Sequence, residues 1–225
     1  MNYESTGQPR FSVFDMTRIA VFTAIVSILA QISFPFLFGI PLTLQVFGIC
    51  LISLLASRKI AFWSIFLYVL LGTIGIPIFA NFSGGPGVLI GNTGGYIFGF
   101  IGASILIPYL KKFVSGESVG IRKYGILYLI TLGGVVLIHF CGIFQFAVLT
   151  QTEFIKAIKI LSIFLPIDFL KAGMAVFAAE TLGSRLIGNR FFLTKNALLC
   201  FDLFDNKKNS GTRAHREVNF HHSGG

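Results

Sequence analysis

Charge is what this chain has least of. Aspartate, glutamate, lysine and arginine together make up 12% of its 225 residues, about half the share usual in soluble domains. No charged residue falls between Ile19 and Ser57, and none between Lys59 and Lys111. Gaps of that length exclude an ordinary water-soluble domain and fit a chain that crosses a membrane. Cysteine is also sparse. Cys50, Cys141 and Cys200 are scattered, odd in number and without ligand spacing, so they read as small apolar packing residues and no metal site is expected. The glycine-rich segment GNTGGYIFGF lacks a Walker lysine and a preceding soluble strand, which argues against a nucleotide site. No serine, cysteine or threonine comes with an evident base and orienting group, so the chain does not read as an enzyme. The net charge of +9 does not point to nucleic acid, because the basic residues sit in short clusters between apolar runs.

What is present is a series of apolar runs. A membrane helix needs about 20 such residues, and six runs qualify as spans: about 19–38, 44–57, 60–76, 94–110, 124–149 and 162–186. A polar linker with Glu153, Lys156 and Lys159 is expected to form a short interfacial helix before the sixth. The expected organisation is an N-terminal cytoplasmic segment over 1–17, an all-α six-helix membrane domain over 18–188, and a basic, disordered cytoplasmic tail over 189–225. The first run reads as a retained span, since no small-residue cleavage site follows Arg10, Asp15 and Arg18 promptly.

Orientation follows from the cations. Of the 18 lysines and arginines, 15 fall before span one, between spans two and three, between four and five, or from Arg185 at the end of six onward. Lys156 and Lys159 face the other side, and Lys171 lies within a span. The positive-inside bias therefore places both termini in the cytoplasm. The turns at Gly39–Thr43 and Pro77–Thr93 then face outward.

The second turn is unusual. Nine of the 25 glycines lie between Gly72 and Gly99, together with Pro77 and Pro86. Such a segment cannot be one helix, and irregular backbone near membrane depth persists only when buried by protein or lining a cavity. A cavity is expected here. Asn81 offers a donor and an acceptor, Tyr96 a ring and a hydroxyl, and Gly94 and Gly95 a close backbone approach to a ligand. Thr43 and Gln45 stand at the other outer turn. Each also reads as an ordinary turn residue; their shared location suggests a site.

Span six contains LPIDFLKAGMAVFAAE. Asp168 and Lys171 are three apart and share a helix face, with Pro166 positioned to begin the helix. They are read either as an ion pair anchoring the helix end or as two groups lining a pocket for a polar ligand head. Glu180 lies near the cytoplasmic end, where it reads as snorkelling or as meeting a partner. His139 reads as a hydrogen-bonded packing residue. Ala20 and Ala24 form a small-xxx-small pair, suited to internal packing or to docking another membrane protein. Clustered His215, His221 and His222 read as part of a disordered end.

Four separated segments together resemble one family. They are PLTLQ at Pro41–Gln45, the pattern YxxLGxxGxPxFA from Tyr68 to Ala80, TGGYxxGF at Thr93–Phe100, and PxDxxKA from Pro166 to Ala172. The chain is similar to the BioY family, the biotin-specific substrate-binding components of energy-coupling factor transporters, over about Thr17–Gly188. The resemblance implies six helices, cytoplasmic termini, and a biotin site near the outer face closed by the loop after span one. It also implies docking through small residues matching Ala20 and Ala24, and a prokaryotic cytoplasmic-membrane location. The implied partners are membrane lipid, a membrane-embedded coupling subunit and two cytoplasmic ATPases, which alone would use ATP; no cofactor is implied. Asp168 would accept from the ureido N–H groups, Asn81 would donate and accept there, and Lys171 would meet the ureido oxygen or the carboxylate. Tyr96 and the adjacent glycines would pack the thiophane ring or bond to the ligand. Asn92 stands where the family commonly has proline, and Ile167 where it favours glycine; both bear on local geometry. The alternatives are a component for another small vitamin, or a stand-alone carrier in which Asp168 or Glu180 relays protons.

Overall fold

A computed structural model describes residues 12–36, 39–114 and 121–183. The tail expected over 189–225, with its histidines and Cys200, lies outside the described residues, as do 1–11 of the N-terminal segment. The chain divides into two compact units, Met1–Ala179 and Glu180–Gly225, and only the helical residues 180–183 of the second are described.

The first helix, α1, runs Val13–Gln31 and starts before the apolar run does. The Asp15 carboxylate accepts from the Ser12 N–H at 3.3 Å, satisfying an otherwise unpaired donor where the chain enters the helix. A two-residue hairpin follows, β1 (Ser33–Phe34) antiparallel to β2 (Leu42–Thr43), with Ser33 opposite Thr43. Helices α2 (Gln45–Leu55) and α3 (Arg58–Thr73) come next. The glycine-rich segment is not one helix: it contains a 3₁₀ turn at Ala80–Phe82 and a short helix α4, Pro86–Ile90, opened by its proline. Then come α5 (Gly94–Lys111), α6 (Ile121–Thr150) and α7 (Phe154–Leu161), the last matching the expected short helix after span five. A 3₁₀ turn at Ser162–Phe164 leads into a final helix, α8, helical from 165 to 183.

Among the described residues, four helical stretches are long and apolar enough to cross a membrane: Val13–Gln31, Gly94–Val114, Ile121–Thr150 and Phe154–Gly183. The expected spans two and three correspond to helices of 11 and 16 residues, about 16 and 24 Å long, against a hydrocarbon core of about 30 Å. Phe98, Phe140, Phe144 and Phe177 are each more than half exposed. Aromatic rings turned outward on apolar helices suit a lipid environment, and this is a multi-pass membrane protein.

Helix α5 is the hub, packing against α6, α2 and α3, while α1 packs on α3. A seam of small residues sets the α5–α6 approach. A Cβ on Gly99 would lie 2.7 Å from the Ile138 Cα, and one on Gly95 would lie 2.3 Å from the Cys141 carbonyl oxygen. A hydroxyl fastens α1 to α3: Thr23 Oγ1 is 2.8 Å from the Ile19 carbonyl oxygen and 3.0 Å from that of Ser64.

Gly99→Ala should therefore lose about 1–3 kcal/mol through overpacking against α6. Gly125→Ala, where an added Cβ meets open space, should gain about 0.5–1 kcal/mol in helix propensity. Thermal unfolding of the two variants in one detergent should give melting shifts of opposite sign.

Candidate ligand-binding site

Local sequence builds the charged centre of the site. On α8, Lys171 Nζ donates to Asp168 Oδ1 at 2.7 Å, and the two residues are only 6% and 5% exposed. A buried pair at this distance is stable only if its remaining hydrogen-bonding capacity is also met. Part of it turns toward α6. His139 Nδ1 lies 3.1 Å from the Val135 carbonyl oxygen, and since a carbonyl only accepts, that nitrogen carries a proton. The other ring nitrogen, Nε2, is then 3.3 Å from Asp168 Oδ2. This is ion-pair distance without hydrogen-bond alignment.

The pair opens onto a cavity of about 260 Å³ walled by α2, α5, α8 and the turns that contain Gly39–Thr43 and Phe79–Thr93, slightly below the usual range of about 300–1,000 Å³ for small-molecule sites. Phe79, Ile97, Phe100 and Phe164 give it apolar walls, and Thr43, Gln45, Asn81, Asp168 and Lys171 add polar groups to its lining. Tyr96, 9% exposed, lines this cavity, and its hydroxyl has no hydrogen-bond partner among the described residues. Its ring meets His139 edge-on at 5.6 Å. A buried phenol without a partner is unusual in a folded protein, and here it faces a cavity.

Of the eight ligand candidates read from the sequence, six line the cavity: Thr43, Gln45, Asn81, Tyr96, Asp168 and Lys171. Thr43 Oγ1 donates to Gln45 Oε1 at 2.8 Å, and Gln45 Nε2 donates to the Tyr68 hydroxyl at 2.6 Å, so these side chains also brace one another. Gly94 and Gly95 require a correction. They do not line the cavity; Gly91 and Thr93 do. A Cβ on Gly94 would lie 1.8 Å from the Leu89 carbonyl oxygen and 2.5 Å from Gln145 Nε2. Both glycines let α5 seat closely against the loop and α6, rather than letting backbone approach a ligand. Ala20 and Ala24 are exposed on α1, which sets aside internal packing as the reason for the pair.

Asn81 is held on an irregular backbone. Asn81 and Phe82 have φ of 57° and 54°, the left-handed region. Asparagine tolerates it, whereas a residue such as phenylalanine does so at a cost of about 1–3 kcal/mol. The loop persists because neighbours hold it. Phe79, 1% exposed, stacks edge-on against Tyr68 at 5.4 Å and pairs with Ser83. Gln31 contributes an amide from α1, and Gln145 one from α6 that donates to the Leu89 and Gly91 carbonyls at 2.7 and 2.8 Å. Sequence reasoning did not single out Gln31, Gln145 or Tyr68 as site residues, and it read His139 as a hydrogen-bonded packing residue, without its approach to Asp168. The available signal was an isolated amide within an apolar run.

The chain matches the BioY family over residues 4–187. A protein of Pyrococcus horikoshii named "Probable biotin transporter BioY" is 36% identical over 173 residues, 75% of this chain and 95% of the relative. A "Biotin transporter BioY" of Thermotoga maritima is 40% identical over 117 residues, 50% of this chain and 69% of the relative. Among solved structures, the S-component for biotin from an ECF-type ABC transporter superposes with a TM-score of 0.70 at 24% identity, covering 76% of this chain and 92% of that one. That last likeness bears on the fold alone. With most of its length matched, the chain belongs to the BioY family.

Proposed function

We propose that this chain binds biotin from outside the cell, as the substrate-recognising component of an ATP-driven energy-coupling factor transporter in a prokaryotic cytoplasmic membrane. The observation that carries the reading is the buried Lys171–Asp168 pair, which lines a mostly apolar cavity together with Tyr96, whose hydroxyl has no partner among the described residues. Biotin has the matching parts. Its ureido ring presents two N–H donors and one strong carbonyl acceptor, its thiophane is apolar, and its valerate ends in a carboxylate. Asp168 keeps lone pairs beyond those facing Lys171 and His139, and accepts from ureido N–H. Lys171 has further protons for the ureido oxygen or the carboxylate. Asn81, on the outer loop, donates and accepts at the same ring, and Tyr96 either packs the thiophane or bonds to the ligand. Thr43 and Gln45 shape the wall opposite.

The names of the family's members support biotin as the ligand. On this reading six helices span the membrane, α2 and α3 being short spans, and both termini are cytoplasmic by the distribution of cations. Ala20 and Ala24 form the docking edge for a membrane-embedded coupling subunit. Two ATPases on the cytoplasmic side hydrolyse the nucleotide, and this chain catalyses no reaction.

The test is a biotin isotherm on the detergent-purified chain, with riboflavin and thiamine as competitors. We expect one-to-one binding that neither competitor displaces. Asp168→Asn should weaken it at least tenfold, about 1.4 kcal/mol. That variant leaves Lys171 buried without a counter-charge, so Asp168→Asn combined with Lys171→Met should recover thermal stability without recovering affinity. Folded wild-type protein that binds no biotin, or an Asp168→Asn variant of unchanged affinity, would overturn the assignment.

Tyr96→Phe separates ligand contact from packing. Its hydroxyl has no partner among the described residues, so removal should leave the melting temperature of the ligand-free protein unchanged or raised. Biotin affinity should fall about fivefold, the equivalent of one ordinary hydrogen bond.

A further inference from the structure

One amide side chain joins α1 to the loop that carries Asn81. Gln31 is the last residue of α1. Its Nε2 lies 3.2 Å from the carbonyl oxygens of both Ile78 and Phe79, and 3.1 Å from that of Ser27, one turn earlier on the same helix. Its Oε1 accepts from the Phe82 N–H at 2.9 Å. The amide thus contacts the backbone on both sides of Asn81, at the point where two consecutive non-glycine residues adopt positive φ. An amide can do this because it carries donors and an acceptor at one tip; neither a carboxylate nor an apolar side chain of equal length reproduces both.

We infer that Gln31 is a positioning residue for ligand binding: it latches the outer end of α1 to the 78–82 loop and so holds Asn81 at the cavity. This rests on the biotin-binding reading above for its ligand, but not for the latch itself. Seven residues separate Gln31 from Ala24 and eleven separate it from Ala20, so all three lie along one stripe of α1. A membrane partner seated on the exposed alanines would therefore press on the stripe that ends in the latch. A displacement of α1 there is transmitted to the Asn81 loop through three backbone contacts. The far side of the loop is tied to α6 by Gln145.

The experiment compares the full-length detergent-purified chain with Gln31→Met, which keeps the length and volume and removes the amide, and with Gln31→Glu, which keeps an acceptor for Phe82 N–H. Two quantities are read: hydrogen exchange of the amides at 78–85 in ligand-free protein, and the affinity and dissociation rate of biotin. In Gln31→Met, loop exchange should rise at least tenfold while exchange in α5 and α6 stays as in wild type, and biotin should dissociate at least tenfold faster. Gln31→Glu should show intermediate affinity that strengthens as pH falls and the carboxyl gains a proton to donate to a loop carbonyl. Wild type should lack this added dependence. Unchanged loop exchange in Gln31→Met would overturn the latch, as would biotin dissociation within twofold of wild type in both variants. If Gln31→Met does not fold, the pH profile of Gln31→Glu decides: a profile parallel to wild type overturns the inference. Failure of wild type to bind biotin would count against the proposed ligand, and the ligand-free exchange comparison would still decide the latch.

Discussion

An ammonium and a carboxylate withdrawn together into an apolar helix bundle are the constraint from which the rest of the site follows. Either charge alone at membrane depth would cost several kcal/mol. Three residues apart on α8 they meet at 2.7 Å, and the mutual field offsets much of that cost. The pair still has capacity to satisfy, with three protons on Lys171 and several lone pairs on Asp168. Polar groups from other helices stand close by without meeting that capacity: His139 from α6 is 3.3 Å from Oδ2 without hydrogen-bond alignment, and Tyr96 from α5 meets the His139 ring while its hydroxyl has no partner among the described residues. These groups stand near the pair only if α5 and α6 approach closely, and that approach requires the bare backbone at Gly95 and Gly99. Much of the glycine content that looks like loop chemistry is thus spent on bringing two helices together around a charge pair.

The loop between α3 and α5 poses the complementary problem. There some twenty residues hold only a 3₁₀ turn and the five-residue α4, and near a membrane surface the remaining peptide groups need partners. Two glutamines supply them, Gln31 to the carbonyls of 78–79 and the N–H of 82, and Gln145 to the carbonyls of 89 and 91. A side-chain amide is chemically a peptide group on a tether, so it can continue the backbone's hydrogen bonding where no helix or strand runs. The loop is therefore braced from two different helices rather than folded on its own account, which is how two adjacent left-handed residues persist beside the cavity.

The helices were legible because their signal is local: charge vanishes over each apolar run, and a missing charge needs no partner to be read. The Asp168–Lys171 pair was legible for the same reason, since an i, i+3 spacing fixes its geometry. Gly94 and Gly95 were misplaced because a glycine that admits a ligand and a glycine that admits a helix are the same residue; what distinguishes them is the position of α6, 46 residues along the chain at Cys141. The bracing contacts were invisible for a related reason. Gln31 bonds to residues 47–51 positions away and Gln145 to residues 54–56 positions away, and no periodicity links such pairs. His139 read as a hydrogen-bonded packing residue and no more, because Asp168 lies on the next long helix and the register between two helices is not written in either one.

On the proposed reading, the charge balance of the site also bears on which vitamin it suits. Lys171 and Asp168 together carry no net charge, and in a low-dielectric cavity a third unpaired charge beside them would be strongly disfavoured. A ureido ring respects that balance, because it is neutral, places N–H groups against the carboxylate and turns its oxygen toward the ammonium. A cationic head such as a thiazolium could satisfy Asp168 only in competition with Lys171, leaving one positive charge in excess. The carboxylate of biotin, at the end of a flexible chain, then lies best toward the mouth, where water and the loop amides share its solvation. A site of this kind reads its ligand by placing a neutral, strongly dipolar ring against an internal ion pair, and discriminates against charge at the ring rather than against charge in the molecule.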